Sequence, residues 1–312
     1  MPGLFLCLYL LGSKPHAHLE EPILLPVEPL EVLPAYPTLK ESWGAMGWLL
    51  LISLLLGGAA FALAGGRAGT HGLGRLAGIS LASELSILVT IWWVRRRAGS
   101  LRWPGIALQG PWEKWQLYAL LPVLVLAQDA LLSVVSLLHL PSPNDKVYQE
   151  MARYPALLFG VGCFAAPVLE EFFFRGILLK GLLRNYRPAV AIGQSALLFG
   201  LMHMSPAQSI ATALMGALLG WLYYRTGSVR LCIGLHMLNN LLAFNSMRNP
   251  KLAGARDILD VVGSGSYVAL LVVAAAALGS IIWWMQRTLP PTPAATLDEN
   301  GGMTAEQVSP SY

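Results

Sequence analysis

The chain has 312 residues, of which 55% are hydrophobic and only 12% charged, with a mean hydropathy of +0.56 and a net charge of +4. Soluble globular domains carry about 25% charged residues, so this composition excludes a soluble domain and implies an all-α, polytopic transmembrane helical bundle. The positive charge sits in arginine-bearing loops, where it reports topology rather than nucleic-acid binding, and Cys7, Cys163 and Cys232 are too far apart for a CxxC site or a disulfide framework.

In chain order, residues 3–12 are apolar but too short to span and have no basic stretch before them, which argues against a signal peptide. Residues 1–42 form a Pro-rich lead, with Pro22, Pro26, Pro29, Pro34 and Pro37 favouring extended backbone. A span needs about 20 apolar residues. Candidates fall at roughly 43–65, 77–94, 116–138, 155–183, 188–204, 207–224, 229–247 and 267–286, about eight in all, the fifth and sixth being short. They divide into two N-terminal helices with a basic loop (43–114), a core (115–247), a loop with the last helix (248–287) and a polar, disordered tail (288–312). Trp92, Trp93, Trp103, Trp112, Trp115, Trp283 and Trp284 lie near the ends of apolar runs, as an aromatic belt requires. Arg95, Arg96, Arg97, Arg102, Lys114, Lys180, Arg184, Arg187, Arg225, Arg230 and Arg287 share one side if both termini are cytoplasmic. Arg67, Arg75, Arg248, Lys251 and Arg256 run against that orientation.

The most informative stretch is Leu169-Glu170-Glu171-Phe172-Phe173-Phe174-Arg175, inside an apolar run from Tyr154 to Leu183. An ionisable group at membrane depth costs roughly 2.5–3.5 kcal/mol on insertion scales, so it faces a protein interior or a cavity and marks a functional position. Glu171 and Arg175 are four apart and can pair on one helix face. Glu170 points about 100° away, which leaves one carboxylate neutralised and the other free for chemistry. Further polar groups at depth are His203 at the end of the fifth span, His236 and Asn240 four apart in the seventh, Gln128 and Asp129 in the third and Glu84 in the second. A single histidine of this kind is usually an interior hydrogen-bonded residue. Two histidines with a free glutamate and an asparagine supply a general base, an imidazole pair and an amide donor, the parts with which a hydrolase activates water and holds an oxyanion.

Gln128 and Asp129 are expected to line the cavity or bond between helices, and Glu84 to tether its span. Phe172, Phe173 and Phe174 are expected to be lipid-facing and packing surface. Gly193, Gly200, Gly216 and Gly220 suit close helix approach, and the cysteines read as small core residues. His16, His18, His71 and His139 fall in the lead or in loops.

Glu-Glu-x-x-x-Arg at 170–175, Phe-x-x-x-His at 199–203 and His-x-x-x-Asn at 236–240, in that order on successive helices, resemble the three motifs of the CPBP family of intramembrane proteases. That family includes the type II CAAX prenyl endopeptidases and bacterial Abi-type membrane proteins, and the resemblance covers residues 115–247. It implies an endopeptidase that works within the bilayer and cleaves a membrane-associated protein near its C-terminus. Glu170 with His203 would activate the attacking water, His236 and Asn240 would stabilise the oxyanion, and Glu171 and Arg175 would support the first motif. The expected partners are a membrane-anchored protein or peptide and the lipid bilayer, with no nucleic acid, in a multi-pass protein of the bacterial inner membrane type.

Two questions stay open at this level. The site works either without a cofactor or with Zn held by Glu170, His203 and His236, although an HExxH helix is lacking and Asn240 would be a poor ligand. The competing reading is a non-proteolytic membrane protein, a bacteriocin-immunity or partner-binding factor, that uses the polar cluster as interior glue. A transporter would call for paired halves, and no repeat is present. His203 also sits nearer the end of its span than Glu170 and His236 do, so the fifth helix must start deep or tilt for the three to meet.

Overall fold

Pro155, Pro188 and Pro206 each open a helix, in the first turn, where a missing N–H breaks no bond and φ is already set. The computed structural model describes residues 33–63, 72–249 and 257–290, with the backbone of 296–297 and 303–304. The helices are α1 (Leu39–Leu63), α2 (Leu73–Arg102), α3 (Trp115–Leu138), α4 (Asp145–Met151), α5 (Pro155–Asn185), α6 (Pro188–Leu201), α7 (Pro206–Thr226), α8 (Val229–Arg248), α9 (Ile258–Val262) and α10 (Ser264–Thr288). Thr296–Leu297 pairs antiparallel with Met303–Thr304. The rest of the tail expectation lies outside the described residues. So do the lead up to residue 32 with Cys7, His16 and His18, residues 64–71 with Arg67 and His71, and residues 250–256 with Lys251 and Arg256.

Among the described residues the eight apolar stretches are helical, and five helices, α1, α2, α3, α5 and α10, are long and apolar enough to cross a membrane. The expected count of about eight is not confirmed, for two reasons. α6 has 14 residues, about 21 Å at 1.5 Å per residue, short of a hydrocarbon core of about 30 Å. α7 and α8 are long enough, yet Gln208 in the one and His236, Asn239, Asn240 and Asn245 in the other dilute their apolar character. Of the three motifs, the first lies on α5, which meets the membrane criterion, and the other two lie on α6 with the turn after it and on α8, which do not.

α5 is the axis of the bundle and touches α2, α6, α7 and α8. Its regular segment Ala166–Glu171 lies between two π-helical stretches, Leu158–Ala165 and Phe172–Leu179. Such wide turns recur at functional sites. Phe173 and Phe174 are fully buried with Ile177, Leu178, Leu179 and Leu182 in the main core, so these two phenylalanines are interior and not lipid-facing. Three consecutive aromatics carry no periodicity that could have told the two apart. Gly200 gives α6 and α7 their close crossing: a Cβ there would stand 2.5 Å from the Ser209 carbonyl oxygen and 2.8 Å from Ala213 Cβ. Gly216 and Gly220 are also tight, whereas Gly193 faces open space.

The end of the lead is tied down. Ala35 N donates to Asn185 Oδ1 (3.1 Å), Asn185 Nδ2 donates to Ala35 O (2.7 Å) and Tyr36 N donates to Arg102 O (2.9 Å). Arg102 Nη2 then reaches Glu41 Oε2 at 2.8 Å. The start of α1 is thereby fixed to the ends of α2 and α5.

A second tie joins the loop before α3 to the turn between α7 and α8. Gly110 lies so close to Thr226 and Gly227 that a Cβ would overlap their backbone. Gly110→Ala should therefore lower stability by about 1–3 kcal/mol, the usual cost of overpacking, read as a fall in the melting temperature of the purified protein. An unchanged melting temperature would show that the loop can move aside. Beside it, Glu113 accepts from Ser228 Oγ (2.6 Å), Tyr118 Oη (2.6 Å) and Gly110 N (3.4 Å) and pairs with Arg230 (3.1 Å). Burial acts to raise its carboxyl, but these hydrogen bonds and the Arg230 charge outweigh burial and hold it below the ordinary 4.5. A carboxyl lowered by folding stabilises the fold above its unfolded value, and that contribution is lost as pH falls through its folded value. The melting temperature of the wild type should thus fall more steeply below about pH 4.5 than that of Glu113→Gln; parallel curves would remove Glu113 from this role.

Candidate active site

The polar cluster is built on α5. Glu171 and Arg175, both fully buried, pair at 2.7 Å between Oε1 and Nη1. Arg175 Nη2 also donates to the Gly216 carbonyl of α7 at 3.1 Å, and the guanidinium lies 4.6 Å over the Phe199 ring of α6. One cation is thus held by three elements in a setting where an unpaired charge would be costly. Glu170, one residue earlier, makes no such pair, and its Oε2 is buried without a hydrogen-bond partner.

His236 of α8 stands between the two carboxylates. Its Nδ1 is 2.9 Å from Glu171 Oε1, and its Nε2 is 4.0 Å from Glu170 Oε2. With Glu171 accepting the Nδ1 proton, Nε2 is the nitrogen turned towards Glu170, an orientation by a carboxylate that recurs where a histidine has to act through its other nitrogen. Glu171 and Arg175 therefore do more than brace the first motif: they form the chain Arg175–Glu171–His236 that aims the imidazole.

His203 lies in the turn after α6, with Nδ1 3.0 Å from the Phe199 carbonyl. Its ring meets Phe199 edge-on at 5.4 Å, and His236 meets the same ring at 5.7 Å. Phe199, which the sequence marked only as the start of a motif, is thus the common surface for Arg175, His203 and His236. The turn is held by Asn144, whose Nδ2 donates to the His203 carbonyl (3.1 Å) and to Gln208 Oε1 (2.9 Å). In this arrangement the His203 ring bonds Phe199 and not Glu170 directly.

Asn240 Nδ2 donates to the Gly162 carbonyl at 2.8 Å. The reason lies in the wide turn before Ala166. A π-helical partner for that carbonyl would be the N–H of residue 167, and Pro167 has none. Asn240 satisfies the acceptor that the proline leaves open and brings α8 to the level of Glu170. Behind it, Gln128 Nε2 donates to Asn239 Oδ1 at 3.1 Å and Asn239 Nδ2 to Asn240 Oδ1 at 3.3 Å. Gln128 thus bonds between helices. Glu84 Oε2 is buried without a hydrogen-bond partner, and α2 packs on the segment that carries Glu170.

Among the described residues no group of three His, Cys, Asp or Glu is placed to hold a metal ion. Glu171 engages Nδ1 of His236 and the Phe199 carbonyl Nδ1 of His203, which leaves Nε2 of each ring for a water or a substrate. No step below passes through a metal.

Residues 152–242 match the family model described as Type II CAAX prenyl endopeptidase Rce1-like. The matched stretch holds all three motifs and leaves α1, α2 and α3 outside. Comparison with curated proteins and with solved structures finds no match in either.

Proposed function

We propose that this integral membrane protein, whose segment 152–242 is Rce1-like, is an intramembrane endopeptidase that cleaves a membrane-anchored protein or peptide near its C-terminus. The observation that carries the reading is Glu170: a carboxylate with a buried, unpartnered oxygen 4.0 Å from His236 Nε2. Its neighbour Glu171 differs, since that carboxylate bonds Arg175 and His236 through Oε1, whereas no ion pair neutralises Glu170 at hydrogen-bond distance.

Glu170 takes a proton from the attacking water as general base and delivers it to the departing amine. A water bonded to both Glu170 Oε2 and His236 Nε2 at ordinary distances of about 2.8 Å would subtend about 90° across their gap, so one molecule fits both partners. As the tetrahedral intermediate forms, His236, held by Glu171 at Nδ1, faces the oxyanion with Nε2, and the second amide hydrogen of Asn240 supplies a donor. His203, supported on Phe199, assists Glu170 by orienting the water. Membrane proteomes of cells carrying the wild type or Glu170→Ala test this. Precursors with an intact C-terminal segment should accumulate only with the variant; identical proteomes would leave the polar cluster without a proteolytic role.

A further inference from the structure

Asn144 stands in the connector between α3 and α5, outside the Rce1-like segment and in none of the three motifs. It occupies the N-cap position of α4, where an asparagine normally turns its side-chain oxygen onto its own helix. Here the side chain makes no such bond. Its amide instead crosses to α7 and the turn before it, where Nδ2 donates to the His203 carbonyl at 3.1 Å and to Gln208 Oε1 at 2.9 Å. The two hydrogens of one amide group thus grip both the turn that carries His203 and the helix that follows it. Among the described residues the His203 carbonyl has no other donor. The next residue, Met204, has a φ of +48°, a left-handed conformation that a residue with a side chain keeps only where its surroundings impose it. The His203 ring is oriented from α6, through Nδ1 and the Phe199 carbonyl, whereas its backbone is fixed from Asn144. The connector has its own anchorage for this: Arg75 Nη2 is 3.4 Å from Glu150 Oε2, and Met151 packs with Leu76 and Leu158.

We propose that Asn144 is a positioning residue of this site: its amide clamps the turn after α6, so that His203 keeps the place from which its Nε2 orients the attacking water. The role in turnover rests on the proteolytic reading above, but the clamp on the turn does not. Asn144 acts through His203 alone, and no bond is made or broken at its side chain.

Two measurements on the full chain in lipid nanodiscs test it. In hydrogen exchange followed by mass spectrometry, Asn144→Ala should speed the amides of the turn after α6 by about 5- to 30-fold, the factor that one or two lost hydrogen bonds correspond to. Peptides from α5 and α8 should exchange as in the wild type. Unchanged exchange in the turn overturns the proposal whether or not the protein is a protease. Asn144→Asp keeps the shape but has no hydrogen to donate at neutral pH; it should do the same and serves if the alanine variant does not fold. The second measurement uses a farnesylated, internally quenched peptide with a CAAX-type C-terminus. Both variants should lower kcat about 10- to 100-fold, the scale of a reacting group displaced by about 1 Å, with KM little changed, while Asn144→Gln, which keeps both donors, should regain part of the loss. A wild-type kcat in Asn144→Ala would overturn the proposal even with a loosened turn. If the wild type leaves the peptide intact while the exchange difference is present, the clamp stands and the proteolytic reading is what fails.

Discussion

Glu170→Gln should leave the bundle folded and lower peptide cleavage by about 10²- to 10⁴-fold, the range that a general base contributes. Glutamine has the shape of glutamate but cannot take the proton from water. Glu170 Oε2 is buried without a hydrogen-bond partner, and the amide removes a negative charge from that buried position. The variant should therefore melt at or above the wild-type temperature while losing its activity, the usual relation between stability and a strained functional group. Cleavage near the wild-type rate would mean that the free carboxylate is incidental. A lower melting temperature together with lost activity would mean that Glu170 holds the fold.

The opposite outcome is expected at Arg175. Its guanidinium is fully buried, paired with Glu171, bonded to the Gly216 carbonyl and stacked over Phe199. Arg175→Met strands the Glu171 carboxylate in the core, and breaking one partner of a buried pair costs about 3–5 kcal/mol. That is a large share of the stability of most domains, so the purified variant should be poorly folded or melt far below the wild type. Arg175→Lys should rescue little, because an ammonium cannot fork to a carboxylate and a carbonyl while lying flat on a ring. The double variant Glu171→Leu with Arg175→Met should recover much of the melting temperature, since apolar pairs replace buried ion pairs with little loss. It should stay inactive, because His236 Nδ1 then has no carboxylate. Recovery of activity along with stability would show that Glu171 does not orient the histidine.

Much of this was legible in the sequence, for reasons that differ from residue to residue. The pairing of Glu171 with Arg175 follows from a four-residue spacing on one helix, and local spacing survives folding. The descent of His203 to the site does not follow from spacing. It depends on a turn after α6 in which Nδ1 reaches back to the Phe199 carbonyl and Asn144, from a distant loop, holds the His203 carbonyl. Glu84 was legible only as a lone acid in an apolar run, because the α5 segment that α2 packs against lies more than 80 positions further along the chain and no periodicity links them. Pro167 was visible, but its consequence, an open Gly162 carbonyl taken by Asn240, requires knowing that the preceding turns are π-helical. The span count is not confirmed because α6 is short and because Gln208 in α7 and His236, Asn239, Asn240 and Asn245 in α8 lower the hydropathy of those helices.

The most direct measurement is oxygen incorporation by the purified protein in lipid nanodiscs. A farnesylated peptide with a CAAX-type C-terminus is incubated in H₂¹⁸O, with wild type or Glu170→Gln. The account predicts cleavage by the wild type alone, with one ¹⁸O in the newly formed carboxylate. Cleavage by Glu170→Gln at the wild-type rate, or an intact peptide after prolonged incubation with folded wild type, would contradict it.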